Sequence, residues 1–302
     1  MPHASVNLLP KRSFRTLGYC AWCGRTGEGV VLREEHIVPA SFGGHLTLRD
    51  GCCLDCQGPQ SAYIGQCCRS MFPALRLHHG IAGRKSTTKT IPVMVSNSDF
   101  IPLAPHEAPG IVTLPVFEMP DMITGFSREE NAVPMIHTYI VETTEDGKER
   151  SISLKESGRA LGLAYAEIPL GHFVRTLAHI GHAFYLGAAD DSTREKSLLL
   201  PIANGNLRRA SRVIGGWPLN APSLPQPKPE SGIHQIRPVN AMIDGVSYVM
   251  ALIWLFTYLR PLPPVYAALL CQRDIAEGDK YLSFTRHEEA KTINVEELTM
   301  GA

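Results

Sequence analysis

Two Cys-x-x-Cys pairs, Cys20-Ala21-Trp22-Cys23 and Cys53-Leu54-Asp55-Cys56, stand 29 residues apart and constrain the fold more than any other feature of this chain. Each pair can grip a metal ion from a tight turn, and together they can supply four thiolates to one tetrahedral zinc. Buried free thiols are the competing reading, but they do not explain two pairs at turn spacing. With all four positions taken by sulfur, such a zinc has no open coordination site and is structural, so any catalytic metal is a second ion. The remaining cysteines, Cys52, Cys67, Cys68 and Cys271, suggest no disulfide framework, and no signal-peptide pattern is read at the N-terminus. A reducing, cytoplasmic compartment is the expectation.

Between the pairs lie Glu34-Glu35-His36-Ile37-Val38-Pro39 and Phe42-Gly43-Gly44, and Gln57 follows the second pair directly. In this order the residues resemble the four-cysteine, zinc-containing branch of the HNH endonucleases. The resemblance is specific over about forty residues. It extends impressionistically to Phe173–His182, Val213-Ile214-Gly215-Gly216 and the apolar strand near Trp254, which are similar to longer bacterial proteins carrying this module. The resemblance implies a ββα-metal core, in which a β-hairpin and a helix clasp one divalent ion, Mg²⁺ or Mn²⁺. It implies Glu35 as acidic metal ligand, His36 as general base and Gly43-Gly44 as the turn beyond it. Gln57 stands where the last ligand, usually His or Asn, opens the helix. For the position that orients the base, Asp50 is the nearest polar candidate and Leu48 is the other alignment.

The chemistry can be argued without the family. Phosphodiester hydrolysis needs an activated water, neutralised charge on the non-bridging oxygens and help for the leaving 3′-oxygen. A neutral imidazole with a pKa of about 6.5 accepts a proton from water near neutral pH. A hard cation held by a carboxylate and an amide oxygen covers the other two needs. Adjacent strand residues point to opposite sides, so Glu35 and His36 divide these tasks between two faces. The bland alternative is a surface strand pair.

Net charge is zero, yet residues 1–90 carry 11 Lys/Arg against 5 Asp/Glu, and residues 91–302 carry 18 against 24. A basic first third joined to an acidic remainder suits a polyanion-binding module, with plain surface scatter as the competitor. Arg69, Arg76, Arg84 and Lys85 are candidate phosphate contacts, against the alternative of a solvated helix face for each. Nucleic acid, DNA before RNA, is the expected partner.

The expected organisation is α+β: a zinc-pinned ββα-metal module over residues 1–90, then a larger α+β domain over 91–302 with a mostly antiparallel sheet. Residues 1–18 read as a basic arm, Val30–Leu32 and Leu46–Leu48 as strands, and Ser61–His79 as a helix kinked or restarted at Pro73. Farther on, Ile111–Phe117 and Met135–Val141 read as strands, the latter ending in a Glu145–Lys148 turn, and Pro218–Pro229 as a loop. Phe173–Leu186 is the clearest helix, with Phe173, Leu177, Ile180 and Phe184 on one face. His179 and His182 read as ordinary, partly exposed helix residues without an acidic partner nearby. Val246–Leu259 is too short to span a bilayer as a helix and reads as a buried strand between Ile233–Ile243 and Val265–Leu270, so no membrane is expected.

Three functions follow: a metal-dependent HNH-type endonuclease, a catalytically silent zinc-stabilised nucleic-acid-binding module, and an interaction protein whose C-terminal part carries the biology. A homo-oligomer is compatible with all three.

Overall fold

The structure, a computed structural model, describes residues 10–73, 76, 81, 90–94, 100–104, 111–126, 135–142, 168–188, 193–217, 233–259, 263–287 and 292–301. Strands β1 (Arg12–Thr16), β2 (Leu32–His36) and β3 (Leu46–Cys53) form a sheet in the order β1-β3-β2. The segment expected as a basic arm therefore contains a strand, parallel to β3. Its backbone satisfies the polar edge that β3 would otherwise leave open. Strand β2 begins two residues later than Val30, because Gly27 and Gly29 hold left-handed turn conformations, φ 97° and 85°, just before it.

Strand β3 runs past Leu48 to Cys53, and helix α1 (Leu54–Ser70) follows without a loop. Antiparallel β2 and β3 followed by α1 make a ββα unit. Arg33 pairs with Cys52 and Glu35 with Leu48, so Arg49, Asp50 and Gly51 bulge opposite Glu34 alone. The bulge places Asp50 at φ 49°, a conformation that Asp tolerates better than most residues. Helix α1 starts earlier than the expected Ser61 and ends at Ser70, and helical structure resumes at Pro73. Proline at the first position of a helical turn loses no hydrogen bond, so this residue restarts the helix as expected.

Two antiparallel pairs follow, β4 (Ile91–Met94) with β5 (Phe100–Leu103) and β6 (Ile111–Phe117) with β7 (Met135–Glu142). After helix α2 (Leu170–Ala188) come β8 (Ile214–Trp217), β9 (His234–Ile243), β10 (Val246–Leu255), β11 (Val265–Gln272), β12 (Lys280–His287) and β13 (Thr292–Thr299). These six form one sheet, β13-β12-β9-β10-β11-β8, antiparallel except between β12 and β9. The expected meander is β9-β10-β11. Asp244 and Gly245, at φ 49° and 76°, form the two-residue turn whose twist matches its flanking strands. The expected Glu145–Lys148 turn and Pro218–Pro229 loop lie outside the described residues.

Helix α2 lies against β11 and α1. A Cβ on Gly181 would meet Leu199 Cδ1 at 2.4 Å and Leu270 Cδ2 at 3.3 Å, so glycine there sets how closely helix and sheet approach. Gly216 does the same for β8: its N–H donates to the Glu118 carbonyl at 2.7 Å, and a Cβ would meet the Phe117 oxygen at 2.1 Å. One buried apolar cluster runs from Cys20, Trp22 and Phe42 through α2 to β10 and β11. Among the described residues, no helix is long and apolar enough to cross a membrane.

Candidate metal centre and histidine clamp

Cys20 and Cys23 sit on a loop closed by backbone bonds, Gly24 N–H to the Cys20 carbonyl at 2.8 Å and Cys20 N–H to the Arg25 carbonyl at 2.9 Å. The second pair is placed by the strand-to-helix junction: Cys53 is the N-cap of α1 and Cys56 lies in its first turn. All four sulfurs fall within 4.8 Å of one another, and those of Cys23 and Cys53 are 3.7 Å apart. This cluster could hold a metal ion. Arg25 and Asp55, one from beside each pair, form an ion pair on its exposed side. A hydrogen bond from Cys52 outweighs burial and holds the Cys20 thiol down to about 3, whereas burial pushes Cys23 and Cys56 up. Loading an ion displaces the protons that remain.

His36 ends β2 opposite Thr47. Directly opposed residues of an antiparallel pair share a face, so Thr47 is its cross-strand neighbour. Of the two sequence candidates for orienting the base, Leu48 is buried opposite Glu35 and Asp50 is exposed in the bulge. Burial lowers the His36 imidazole, Lys11 adds to this, and Glu35, Glu34 and the Gly44 backbone oppose it. Its Nδ1 is buried without a hydrogen-bond partner among the described residues.

Glu35 points to the other side, inward. Trp22 Nε1–H donates to its Oε2 at 3.3 Å, and His179 Nε2 lies 3.3 Å from its Oε1. Burial pushes this carboxyl up, but the bonds from His179, Cys52 and Trp22 prevail and leave it below its ordinary value. The side chain keeps 12% of its surface exposed. Gln57, next to Cys56 near the start of α1, is half-buried. Apart from the four cysteines, no three His, Cys, Asp or Glu side chains among the described residues gather closely enough to hold an ion.

The reading of His179 and His182 as partly exposed residues is overturned: both are 0% exposed. The acidic partner of His179 is Glu35, 144 positions away in the chain and hence invisible to any local pattern. His179 stacks on Trp22 with ring centroids 4.5 Å apart, places Nε2 3.1 Å from the His36 carbonyl, and has Nδ1 3.2 Å from the Tyr63 hydroxyl. His182 Nε2 bonds the Ala21 carbonyl at 2.9 Å. Arg194 and Asn204 both donate to the Trp22 carbonyl, at 3.3 and 3.2 Å. Side chains from beyond residue 170 thus grip the backbone of the first cysteine loop and the end of β2. The sequence signal for this clamp is a Trp inside a Cys-x-x-Cys pair together with two histidines on a helix apolar on nearly every side.

Among the candidate phosphate contacts, Arg69 is exposed at the end of α1, with Nη2 donating to Gln66 Oε1 at 3.0 Å. Arg76 is half-buried, and its Nε has no partner among the described residues. Arg84 and Lys85 lie outside the described residues. No protein-family model, curated protein or solved structure matches this chain.

Proposed function

We propose that the chain is a zinc-stabilised, metal-dependent HNH-type endonuclease that hydrolyses phosphodiester bonds of nucleic acid, DNA in the first instance. The observation that carries this reading is His36 Nδ1. It is a buried imidazole nitrogen without a hydrogen-bond partner among the described residues, on a ββα unit whose helix begins at a four-cysteine cluster. A buried ring nitrogen of this kind wants a water, and a neutral imidazole is what activates one.

Zinc fits the cysteines. Tetrahedral coordination at a Zn–S distance of about 2.3 Å sets sulfurs about 3.8 Å apart, and the Cys23–Cys53 separation is 3.7 Å. For the second ion the donor chemistry suits a hard cation such as Mg²⁺ or Mn²⁺. Glu35 receives bonds from His179, Trp22 and Cys52 and, with about four lone-pair sites on its carboxylate, keeps one for an ion, and Gln57 offers an amide oxygen. These two residues would hold the ion with water completing its shell, and the bound ion supplies charge neutralisation at the phosphate and the leaving oxygen. The chain's own residues do the rest. In the proposed step His36 takes the proton of the attacking water on Nδ1, the ring nitrogen without a hydrogen-bond partner among the described residues. Arg69 and Arg76, with Arg84 and Lys85 farther along, would neutralise flanking phosphates.

Cleavage of supercoiled plasmid with added Mg²⁺ or Mn²⁺ tests the reading. Wild type nicks the plasmid, and His36→Ala is slower by about 10²–10⁴-fold, the usual contribution of a general base. Equal rates in both proteins would remove the assignment.

One observation favours a second reading. Both oxygens of Glu35 are already engaged by Trp22 and His179, as expected of a module that keeps its metal-pinned fold and binds nucleic acid or a protein without cutting. Salt-sensitive DNA binding without cleavage would select it.

A further inference from the structure

We propose that His179, on α2, is a positioning residue for the Glu35–His36 dyad; this rests on the endonuclease reading above. One nitrogen, Nε2, lies within bonding distance of both members of the dyad, the His36 carbonyl at 3.1 Å and Glu35 Oε1 at 3.3 Å. Both are acceptors, so Nε2 carries the proton and shares it between them. Nδ1 is then the acceptor, and the Tyr63 hydroxyl at 3.2 Å donates to it. The other end of the carboxylate accepts from Trp22 Nε1. Donors and acceptors alternate through Tyr63, His179, Glu35 and Trp22, and this fixes the tautomer of His179.

The network constrains both members of the dyad. Glu35 is held at both oxygens, so its rotamer is set before any ion arrives. The His36 peptide is held by its carbonyl, so the base leaves the end of β2 in one direction. A base misplaced by an ångström loses most of its advantage. The ring of His179 is itself immobilised, stacked on Trp22 and fully buried, while Tyr63 lies beneath the Arg175 guanidinium at 4.2 Å. A helix more than a hundred residues downstream thereby aligns the dyad.

The test uses the full zinc-loaded chain with His179→Leu, His179→Gln and Tyr63→Phe. Gln restores an N–H donor near the position of Nε2; Leu keeps apolar bulk without one. Zinc content and melting temperature identify the folded variants. The expected result is a fall in kcat of about 10–100-fold in His179→Leu, the range for partners that orient ligands from behind. KM for plasmid stays near wild type, Mn²⁺ affinity measured by electron paramagnetic resonance weakens, and His179→Gln recovers most of both. If His179→Leu does not fold, Tyr63→Phe takes its place, with a smaller drop of the same kind. A folded His179→Leu that cuts and binds Mn²⁺ like wild type overturns the positioning role and leaves the endonuclease intact. A wild type that never cuts overturns the endonuclease instead. The His36 ring ¹⁵N signals then decide: a shift in His179→Leu that returns in His179→Gln supports positioning, and unchanged signals overturn it.

Discussion

Strand β10 buries every residue from Met250 to Leu255, whereas β2, which carries the candidate dyad, contains no fully buried residue. The helices differ in the same way. Helix α2 buries all of Phe173–Leu186 except Arg175, while α1 buries only Gln60, Tyr63, Cys67 and Cys68 of its 17 residues. The C-terminal sheet and its helix are held by apolar area removed from water, each buried side chain contributing about 1.5–3 kcal/mol. The cysteine-bearing unit shares that core through Trp22, Ile37, Phe42 and Leu48, but its strand β2 and most of α1 stay outside it. It adds a four-cysteine cluster that could hold a metal ion and polar bonds received from α2, Arg194, Asn204 and His234. A region stabilised by many small contributions tolerates the loss of one; a region stabilised by a few directional ones does not.

Removing the metal should break the contrast most sharply. Under the zinc reading proposed above, a structural zinc is worth about 10–16 kcal/mol of apparent binding free energy, and chelation or Cys20→Ser should abolish amide-exchange protection in β3 and α1 while β10 and β11 stay protected. Simultaneous loss in both regions would show that they form one cooperative unit.

Acid should act next, at the junction between the regions. His234 donates from Nε2 to the Phe42 carbonyl at 2.9 Å and accepts the Phe256 N–H on Nδ1 at 3.2 Å, so protonation costs it a bond. Burial lowers it to about 4, against an ordinary 6.5. The unfolded chain therefore binds this proton at a higher pH than the folded chain does. The stabilising contribution is complete above about pH 6.5 and is lost as pH falls toward 4, in total about 3 kcal/mol. Denaturation midpoints across that interval check this, and His234→Gln should flatten the dependence.

The smallest effect is expected within the sheet. Asp244→Ala in the β9–β10 turn forces a left-handed alanine and removes the 2.9 Å bond to Arg286. A loss of about 1 kcal/mol, read as a lower urea midpoint with an unchanged slope, is the expected outcome. A larger loss would mean that the sheet depends on single contacts as the cysteine unit does.

The same contrast explains what was legible in the sequence. The β9-β10-β11 meander, β6, β7 and α2 are written in local hydrophobic patterning and turn residues, and their positions follow from it. The cysteine cluster is legible because chelation needs a spacing that the chain shows openly. The strand at Arg12–Thr16 was missed because its pairing partner, β3, lies more than thirty residues away and its own residues, Phe14 apart, are polar. The burial of His179 was missed for a related reason: a histidine on an apolar helix reads as an exposed exception until a buried carboxylate from elsewhere is brought beside it. Hydropathy and charge do not separate Glu35 from Glu34, which faces outward to Lys11; the resemblance singles out Glu35 by its place before His36. In the structure, strand alternation and the clamp separate them.

The bond from His234 to Phe42 joins positions 192 residues apart, and this gives the molecule a schedule of assembly. At a synthesis rate of about 5–20 residues per second, His234 leaves the ribosome roughly 10–35 s after Cys56. In that interval all four cysteines are already present, and His182, Arg194 and Asn204, which hold the first cysteine loop, emerge before His234 does. Glu35 and the His36 carbonyl meet His179 only after more than half of the chain has been made, and the Phe42 end of the unit is tied down last.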